Sequence, residues 1–531
     1  MTLLARLQDP GFTPRAGEVD ALIDFLVDEK LAKAAARAIG RVGPAALEPL
    51  RARLVGARPP LRAHIVRAMG RLTDDARAVE TLLEALDDGD PKTRRNAAME
   101  LGHVQRPGVE AALLRSWTRD PRPEMRRTIA ASLGKIGGAD ALPTLGEAAR
   151  AEDPELVRIA QKSLAMVERT ASRGERGRID GSRLAAAPVD VIAFARQGLE
   201  DMLADELSRV AAVSQVRVVG PGRVRVRLVG ALDALFGART MLSLRFPLPP
   251  EAVGDGSGAN GGLAEGVARA ATSDAARAIV GAWTVGPARY RIAWADGSHK
   301  RAATWDAAAA IRKRAPEYVN DPTSSLWELV LEQKSGGAQG QVIEASLEPR
   351  ALEDPRFVWR RGDVPAASHP TVAAALARVA GVRDDDVAWD PFVGSGAELI
   401  ERALRGPYRA LHGTDNDPRA LAVARANAEA AHVPLTLEHG DALGPAPAGV
   451  TLVITNPPMG RRASRTLGTD AMLDRFVTHA AGVLVPGGRF VWIAPWPQRS
   501  RAAGAEAGLT LDWARTLDMG GFDAEIQRWL R

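Results

Sequence analysis

The stretch 452–460, Leu-Val-Ile-Thr-Asn-Pro-Pro-Met-Gly, decides the fold of the C-terminal part of this 531-residue chain. Its apolar start is typical of a buried strand. The strand must end at Asn456, because neither Pro457 nor Pro458 can donate a hydrogen bond to a sheet. The prolines also stiffen the backbone, so the Asn456 side chain and the Pro457 carbonyl become two fixed acceptors. Ligands of open α/β sheets bind at the carboxyl ends of strands, and two acceptors placed there can hold the exocyclic amino group of a nucleobase.

A glycine turn upstream predicts a second part of the same site. Residues 387–396 are typical of a strand that runs into a turn and then a helix. Gly394 and Gly396 let the backbone pass close to a ligand. Free N–H groups at the start of the helix suit the carboxylate of a small cofactor. A pyrophosphate is the rival ligand, but the pattern G-x-G-x-x-G is not met, because its third position is Leu399.

Two further strands, residues 410–414 and 435–439, also end in polar residues. The first ends at Asp415, 21 residues after Gly394, and an acidic residue near that distance accepts both hydroxyls of a ribose. The second ends at Gly440-Asp441-Ala442, where Asp441 can accept a hydrogen bond from an adenine amino group. Strands that alternate with helices indicate a parallel sheet with a nucleoside-bearing ligand along one edge.

These ordered motifs resemble those of class I S-adenosylmethionine-dependent methyltransferases. The chain is most similar to the THUMP-domain RNA guanine-N2 methyltransferases, which methylate the exocyclic amine of guanine in tRNA or ribosomal RNA. Residues 366–371 are similar to the segment that precedes their catalytic domain. The resemblance implies a Rossmann-like α/β methyltransferase domain with a seven-stranded sheet over residues 361–531, S-adenosylmethionine as cofactor and RNA as substrate.

The resemblance also implies roles for individual residues. Met459 stands where these enzymes usually have an aromatic residue that stacks on the target base, and a thioether is a poorer platform. Catalysis is assigned to Asn456, Pro457, Pro458 and Met459. Cofactor binding is assigned to Asp390, Phe392, Gly394, Ser395 and Gly396 at the methionine moiety, Asp415 at the ribose, Asn416, Asp441 and Ala442 at the adenine, and also to Asn456.

Composition excludes several other chemistries. The chain has no cysteine, so disulfides, cysteinyl metal sites and the cysteine adduct used in methylating pyrimidine C5 are ruled out. The histidines are scattered without metal-ligand spacing. A net charge of +5 is compatible with a nucleic-acid partner. We find no apolar run of membrane-spanning length and no signal-peptide pattern, so a cytoplasmic protein without a membrane association is expected.

The N-terminal part repeats. Gly40, Gly70, Gly102 and Gly134 end similar alanine- or arginine-rich segments at spacings of 30, 32 and 32 residues. This pattern resembles HEAT-type repeats and predicts an α-solenoid over residues 1–168, with a surface for a protein partner. The arginines at 94, 95, 126 and 127 recur in successive repeats. They either form a basic ladder for RNA or cap helices and pair with acidic neighbours.

The middle of the chain is predicted to be α+β. A polar linker, residues 169–188, precedes a ferredoxin-like domain over residues 189–250, with its second helix at 232–244. Residues 251–360 resemble a THUMP domain, which in relatives binds the acceptor end of tRNA. Its positive charge would contact phosphate without reading sequence and comes from Arg289, Arg291, Lys300, Arg301, Arg312, Lys313 and Arg314.

Two alternatives remain open. The chain could be a non-catalytic scaffold or RNA-binding protein with a vestigial methyltransferase domain, which Met459 and the added repeats favour. It could also transfer the methyl group to an adenine of DNA or a glutamine amide of a protein, since Asn-Pro-Pro motifs serve those reactions too. The ferredoxin-like and THUMP-like segments favour RNA.

Overall fold

The computed structural model describes residues 2–7, 9, 11–171, 177–254, 261–335, 341–365, 367–459 and 468–531. The chain divides into two compact units, Met1–Arg176 with Pro316–Thr323, and Gly177–Ala315 with Ser324–Arg531. Among the residues described, no helix combines the length and the apolar character needed to cross a bilayer.

The first unit is built from helices that stack in chain order. Helix α3 packs on α5, α5 on α7, α7 on α9 and α9 on α11, as expected for a repeat array. The helices are α1 (Leu3–Leu7), α2 (Val19–Asp24), α3 (Glu29–Val42), α4 (Leu47–Leu54), α5 (Leu61–Met69), α6 (Ala76–Glu84), α7 (Pro91–Leu101), α8 (Val109–Arg119), α9 (Pro123–Ile136), α10 (Ala141–Ala148) and α11 (Pro154–Ala171).

The repeated glycines mark the points where successive helices approach most closely. A Cβ added at Gly102 would lie 2.9 Å from Cα of Ser132, and one added at Gly134 would lie 2.8 Å from Cα of Ser163. A larger residue would push the helices apart, so the spacing of the glycines follows from the stacking.

The recurring arginines pair within the array. Arg94 forms an ion pair with Asp120 at 3.1 Å, and Arg127 forms one with Asp153 at 2.7 Å. Arg126 lies over the ring of Trp117 at 5.0 Å. Three of the four arginines therefore hold neighbouring repeats together, which favours the structural interpretation over an RNA-binding ladder.

The second unit begins with an α+β region. Its elements are β1 (Arg178–Ile179), β2 (Val189–Phe194), α12 (Glu200–Ser208), β3 (Val213–Gly220), β4 (Arg223–Leu228), β5 (Ser243–Pro247), β6 (Glu251–Ala252), α13 (Gly261–Ala271), α14 (Asp274–Trp283), β7 (Thr284–Val285), β8 (Ala288–Trp294), α15 (Arg301–Arg314), β10 (Trp327–Ser335) and β11 (Gln341–Glu348), while β9 (Tyr318–Asn320) belongs to the first unit.

Most of these strands form one continuous sheet in the order β3-β4-β2-β5-β11-β10-β8, with β6 paired to β11. Because β5 pairs with β11, the sheet continues across residue 250. The boundary between the ferredoxin-like and THUMP-like segments there stays a prediction.

The prediction of a helix over residues 232–244 was wrong. The structure has a 3₁₀ helix at Leu232–Gly237 and then strand β5. In β5, Leu244 and Phe246 are buried, a two-residue alternation that fits a strand. Between the 3₁₀ helix and β5, Arg239 forms a bidentate ion pair with Glu401 at 2.7 Å. This tertiary contact overrides the local helical pattern.

One close backbone contact joins this region to the C-terminal hairpin. Gly198 has φ of 101°, and a Cβ there would lie 2.0 Å from the carbonyl oxygen of Thr516. We expect Gly198→Ala to lower the free energy of unfolding by about 1–3 kcal/mol through backbone strain and the clash. Urea unfolding followed by tryptophan fluorescence measures this.

The control for that substitution is Gly281→Ala in α14, where a Cβ would meet nothing within 4 Å. Alanine there should leave the stability unchanged or raise it by up to about 1 kcal/mol, since alanine favours helix. Equal effects of the two substitutions would contradict the assigned contact.

The C-terminal part of the second unit is a three-layer α/β structure. Its elements are α16 (Pro370–Ala380), β12 (Val387–Asp390), α17 (Ala397–Leu404), β13 (Ala410–Asp415), α18 (Pro418–Ala430), β14 (Thr436–His439), β15 (Leu452–Thr455), α19 (Thr469–Val483), β16 (Arg489–Ala494), α20 (Pro497–Glu506), β17 (Thr510–Asp518) and β18 (Asp523–Leu530).

The expected seven-stranded sheet is present, in the order β14-β13-β12-β15-β16-β18-β17. Its strands run parallel except β18, which is antiparallel to both of its neighbours, β16 and β17. A core of Trp389, Phe476, Phe490, Trp492 and Trp529 packs against it. Because β13, β12 and β15 are adjacent, the residues that follow them meet at one edge.

Candidate active site

The glycine turn after β12 is fastened to the end of β13. The backbone N–H of Gly394 donates to Oδ2 of Asp415 at 2.9 Å, and Oδ1 of Asp415 accepts from the N–H of Asp417 at 2.9 Å. Gly394 and Gly396 have φ of 49° and 82°, a region that glycine adopts without strain. Each Asp415 oxygen keeps a second lone pair, so this carboxylate can shape the turn and still accept ligand hydroxyls.

Asp390 is fully buried at the end of β12. Its Oδ1 accepts from the Thr455 hydroxyl at 2.6 Å and from the N–H of Phe392 at 3.0 Å. Its Oδ2 is buried without a hydrogen-bond partner among the described residues. Burial, and then the negative charge of Glu398, raise the pKa of Asp390 well above its ordinary value. A positively charged ligand beside Oδ2 would favour the ionised form.

Asn456 has one end of its amide satisfied and the other end free. Its Nδ2 donates to Oγ of Ser368 at 2.8 Å, and its Oδ1 is buried with no hydrogen-bond partner in the part of the chain that the structure describes. Such an orphaned acceptor costs about 1–3 kcal/mol, which a donor on a ligand would recover. No solvent reaches Oδ1, so a ligand must displace the atoms that cover it. Of the prolines that follow, Pro457 is buried and Pro458 is exposed.

The predicted adenine-side residues lie at the rim. Asn416 is exposed, and its carbonyl lies 3.1 Å from Nε2 of His439. Asp441 is exposed and accepts from the N–H of Leu443 at 2.9 Å, while Ala442 is buried. The N–H of Gly440 donates to the backbone oxygen of Asp415 at 3.1 Å. The loop after β14 is thus tied to the end of β13 at the sheet edge.

The remaining predicted residues flank the turn. Phe392 packs edge-on against Phe476 with centroids 5.1 Å apart. Ser395 is buried, and its carbonyl accepts from Nδ2 of Asn427 at 2.9 Å. Met459 is half-buried. The structure therefore places the turn, Asp415 and Asn456 on adjacent strand ends.

Two polar residues that the sequence motifs do not single out are linked to Asn456 by hydrogen bonds, one directly and one through the other. Ser368, just before α16, accepts from Asn456 and donates to Oε1 of Glu398 in α17. Both are buried. A glutamate between the buried apolar residues Ala397 and Leu399 was the available signal, because a buried acid needs a partner.

Comparison with known proteins agrees with the two outer parts of the chain. Residues 358–507 match the family described as RMKL-like, methyltransferase domain, and residues 19–91 and 79–165 match HEAT repeats. The chain therefore carries a methyltransferase domain and HEAT repeats. The THUMP-like assignment and the domain boundaries stay predictions.

Two proteins from Thermus thermophilus are similar to part of this chain. One is a tRNA (guanine(6)-N2)-methyltransferase, 30% identical over 166 residues, which are 29% of this chain and 46% of the relative. The chain thus matches just under half of that protein's length. The crystal structure of TrmN is 23% identical, covers 65% of this chain and 99% of its own, and superposes with a TM-score of 0.51. The similarity to the TrmN structure establishes a shared fold and nothing beyond it.

Proposed function

We propose that this protein transfers a methyl group from S-adenosylmethionine to the exocyclic amine of guanine in RNA. The observation that carries the proposal is the buried, unpartnered Oδ1 of Asn456. It is an acceptor without a donor, at the end of β15 and beside the glycine turn, in a methyltransferase domain. An amino group is the donor that it suits.

The residues at the sheet edge fit S-adenosylmethionine. The unpartnered Oδ2 of Asp390 suits a cationic group, and the cofactor carries two, an ammonium and a sulfonium. Asp415 retains lone pairs for the ribose hydroxyls. We propose that Phe392, Gly394, Ser395 and Gly396 flank the methionine moiety, with Asn416, Asp441 and Ala442 around the adenine. When bound, the cofactor supplies an activated methyl group.

Asn456 and the Pro457 carbonyl act on the acceptor amine. Hydrogen bonds from the –NH₂ group to these two oxygens draw the nitrogen lone pair out of conjugation with the ring. They also stabilise the positive charge that develops on nitrogen. Alignment of the two groups supplies much of the remaining rate. The proton leaves after transfer, so no general base is required.

The choice of RNA and of guanine is supported by the relative. The Thermus protein is by name a tRNA guanine-N2 methyltransferase, and its matched residues are 30% identical to this chain. Exposed cations on α15, Arg301, Lys313 and Arg314, could contact phosphate. The helical repeats of the first unit are proposed as the surface for a protein partner, in a cytoplasmic enzyme.

Nucleoside mass spectrometry tests the proposal. Transfer RNA and ribosomal RNA from cells with and without the gene are digested and compared. We expect the N2-methylguanosine content of one of these RNA classes to decrease without the gene and to return with the wild-type gene. Loss of methyladenine in DNA or of methylglutamine in protein would instead assign the enzyme to another acceptor.

The non-catalytic alternative rests on Met459 and on the closed position of Asn456 Oδ1. Calorimetry with S-adenosylmethionine separates the two functions. Binding in the micromolar range supports the enzyme, whereas absence of binding at millimolar concentration would leave only the scaffold.

Asp415→Ala should weaken cofactor binding before it affects transfer. The substitution removes the acceptor for the ribose and the carboxylate that holds Gly394. Hydrogen bonds to charged groups contribute about 1.5–3 kcal/mol, so Kd for S-adenosylmethionine should rise about 10- to 100-fold. Calorimetry measures Kd, with the exposed Asp385→Ala as the control. Unchanged affinity would place the ribose elsewhere.

A further inference from the structure

We propose that Ser368 and Glu398 form a positioning relay that fixes which end of the Asn456 amide faces the acceptor. The relay restricts the site to acceptors that donate a hydrogen bond. The inference rests on the proposed function, because it concerns the selectivity of the same site.

The relay is a continuous chain of two hydrogen bonds. Nδ2 of Asn456 donates to Oγ of Ser368 at 2.8 Å, and the Ser368 hydroxyl donates to Oε1 of Glu398. Ser368 is 6% exposed and Glu398 is 4% exposed. The carbonyl of Ser368 also accepts from Arg360 at 3.0 Å, which holds the serine in place.

The two observed hydrogen bonds have the direction that an ionised Glu398 would impose. An ionised carboxylate can only accept, and a hydroxyl has one proton to donate. Ser368 must therefore give its proton to Glu398 and can only accept from Asn456. This commits the NH₂ end of the amide to Ser368 and leaves Oδ1 as the free end.

Burial and neighbouring charges act differently on the two buried carboxyls, Asp390 and Glu398. Burial raises the pKa of both Asp390 and Glu398. The pKa of Asp390 is raised further, because the charge of Glu398 adds to the effect of its burial. The hydrogen bond from Ser368 and the positive charge of Arg360 counter the rise at Glu398. The Ser368–Glu398 hydrogen bond therefore favours an ionised Glu398.

A relay of this kind discriminates between the amino group and the carbonyl oxygen of guanine. The free Oδ1 accepts from an amino group, but it would face a carbonyl oxygen acceptor-to-acceptor. A site with a fixed hydrogen-bonding end rejects the mismatched group strongly, because its buried polar atom is then left unpaired. Reversal of the amide would exchange these preferences.

Glu398→Gln tests the relay in the full-length protein, because glutamine has the same shape and can donate to Ser368. The Ser368 hydroxyl would then be free to donate to Asn456. The Asn456 amide would turn so that Oδ1 accepts this bond and no longer faces the acceptor base. We expect kcat to fall about 10- to 100-fold, the loss typical of one mispaired buried hydrogen bond. KM for RNA, Kd for S-adenosylmethionine and the melting temperature should stay near wild type.

Three further variants separate positioning from a merely structural role. Ser368→Ala should lose kcat as Glu398→Gln does, and Ser368→Thr should restore it, because threonine retains the hydroxyl. Glu401→Gln is the matched control, a buried glutamate one turn along α17 that pairs with Arg239. It should change stability and leave kcat unchanged.

The side-chain ¹⁵N–¹H₂ resonance of Asn456, assigned by its loss in Asn456→Asp, gives a readout independent of activity. Its hydrogen exchange should accelerate in Ser368→Ala. If wild type transfers no methyl group, the proposed function fails and this exchange alone decides the relay. If wild type is active and Glu398→Gln equally so, or if Glu398→Gln loses cofactor affinity in parallel with kcat, the relay is overturned and the function stands.

Discussion

Replacing Asn456 by alanine is expected to lower kcat about 100- to 1,000-fold, while S-adenosylmethionine binds nearly as before. The loss corresponds to about 2.7–4 kcal/mol, the usual effect of removing one preorganised hydrogen-bonding group from a transition state. Asn456 contacts the protein through Nδ2, and its Oδ1 has no partner. The substitution should therefore affect the acceptor rather than the fold. Single-turnover methyl transfer to RNA measures the step.

Asp415→Ala should show the opposite pattern. Its cofactor binding is weakened, and its observed rate recovers towards the wild-type kcat as the cofactor concentration is raised. The two variants together assign Asn456 to the acceptor and Asp415 to the cofactor. If Asn456→Ala lost cofactor affinity and rate to the same degree, its side chain would belong to the cofactor pocket or to the fold.

The sheet edge could be predicted from sequence because each strand end carries its own local signal. Two glycines follow β12, an aspartate ends β13 and two prolines stop β15. These signals lie within a few residues of the strand that they terminate. Parallel strands place their carboxyl ends at one edge, so local signals were enough to assemble the site.

The relay could not be predicted, because its contacts join distant parts of the chain. Ser368 and Asn456 are 88 residues apart, and Ser368 and Glu398 are 30 apart. Nothing in the spacing indicates that α16 and α17 bring them together. The wrong prediction of a helix over 232–244 has a related cause, since Arg239 lies in the turn after the 3₁₀ helix and pairs with the distant Glu401 of α17. The repeats of the first unit were recoverable because their periodicity is itself a sequence signal.

A buried ion cluster at the start of β12 leads to the largest expected loss of stability. Asp386 is fully buried and accepts from Nη2 of Arg402 at 2.7 Å and from Nη2 of Arg489 at 2.7 Å. The Thr451 hydroxyl donates to it at 3.0 Å. Burial alone would raise the pKa of Asp386, but the bonds from the two arginines outweigh it and lower the pKa.

Asp386→Ala is expected to lower the free energy of unfolding of the second unit by about 3–5 kcal/mol, because two buried cations lose their counter-charge. Tryptophan fluorescence during urea unfolding reports mainly on this unit, since Trp117 is the one tryptophan in the sequence of the first. The exposed Asp384→Ala is the control. A loss below about 1 kcal/mol would mean that water or a neighbouring acid replaces the carboxylate.

The pH dependence and a compensating variant test the same cluster from two sides. A carboxyl whose pKa is lowered on folding contributes stability above its unfolded pKa of about 3.9 and loses it as the pH falls through the folded value. Wild type should therefore lose stability on acidification through that window, and Asp386→Ala should lose less.

Replacing Asp386, Arg402 and Arg489 together by apolar residues of similar volume should cost less stability than removing Asp386 alone, since no unpaired charge stays buried. If the triple replacement were the more damaging, the attraction within the cluster would exceed its desolvation cost, and the cluster would be a net source of stability.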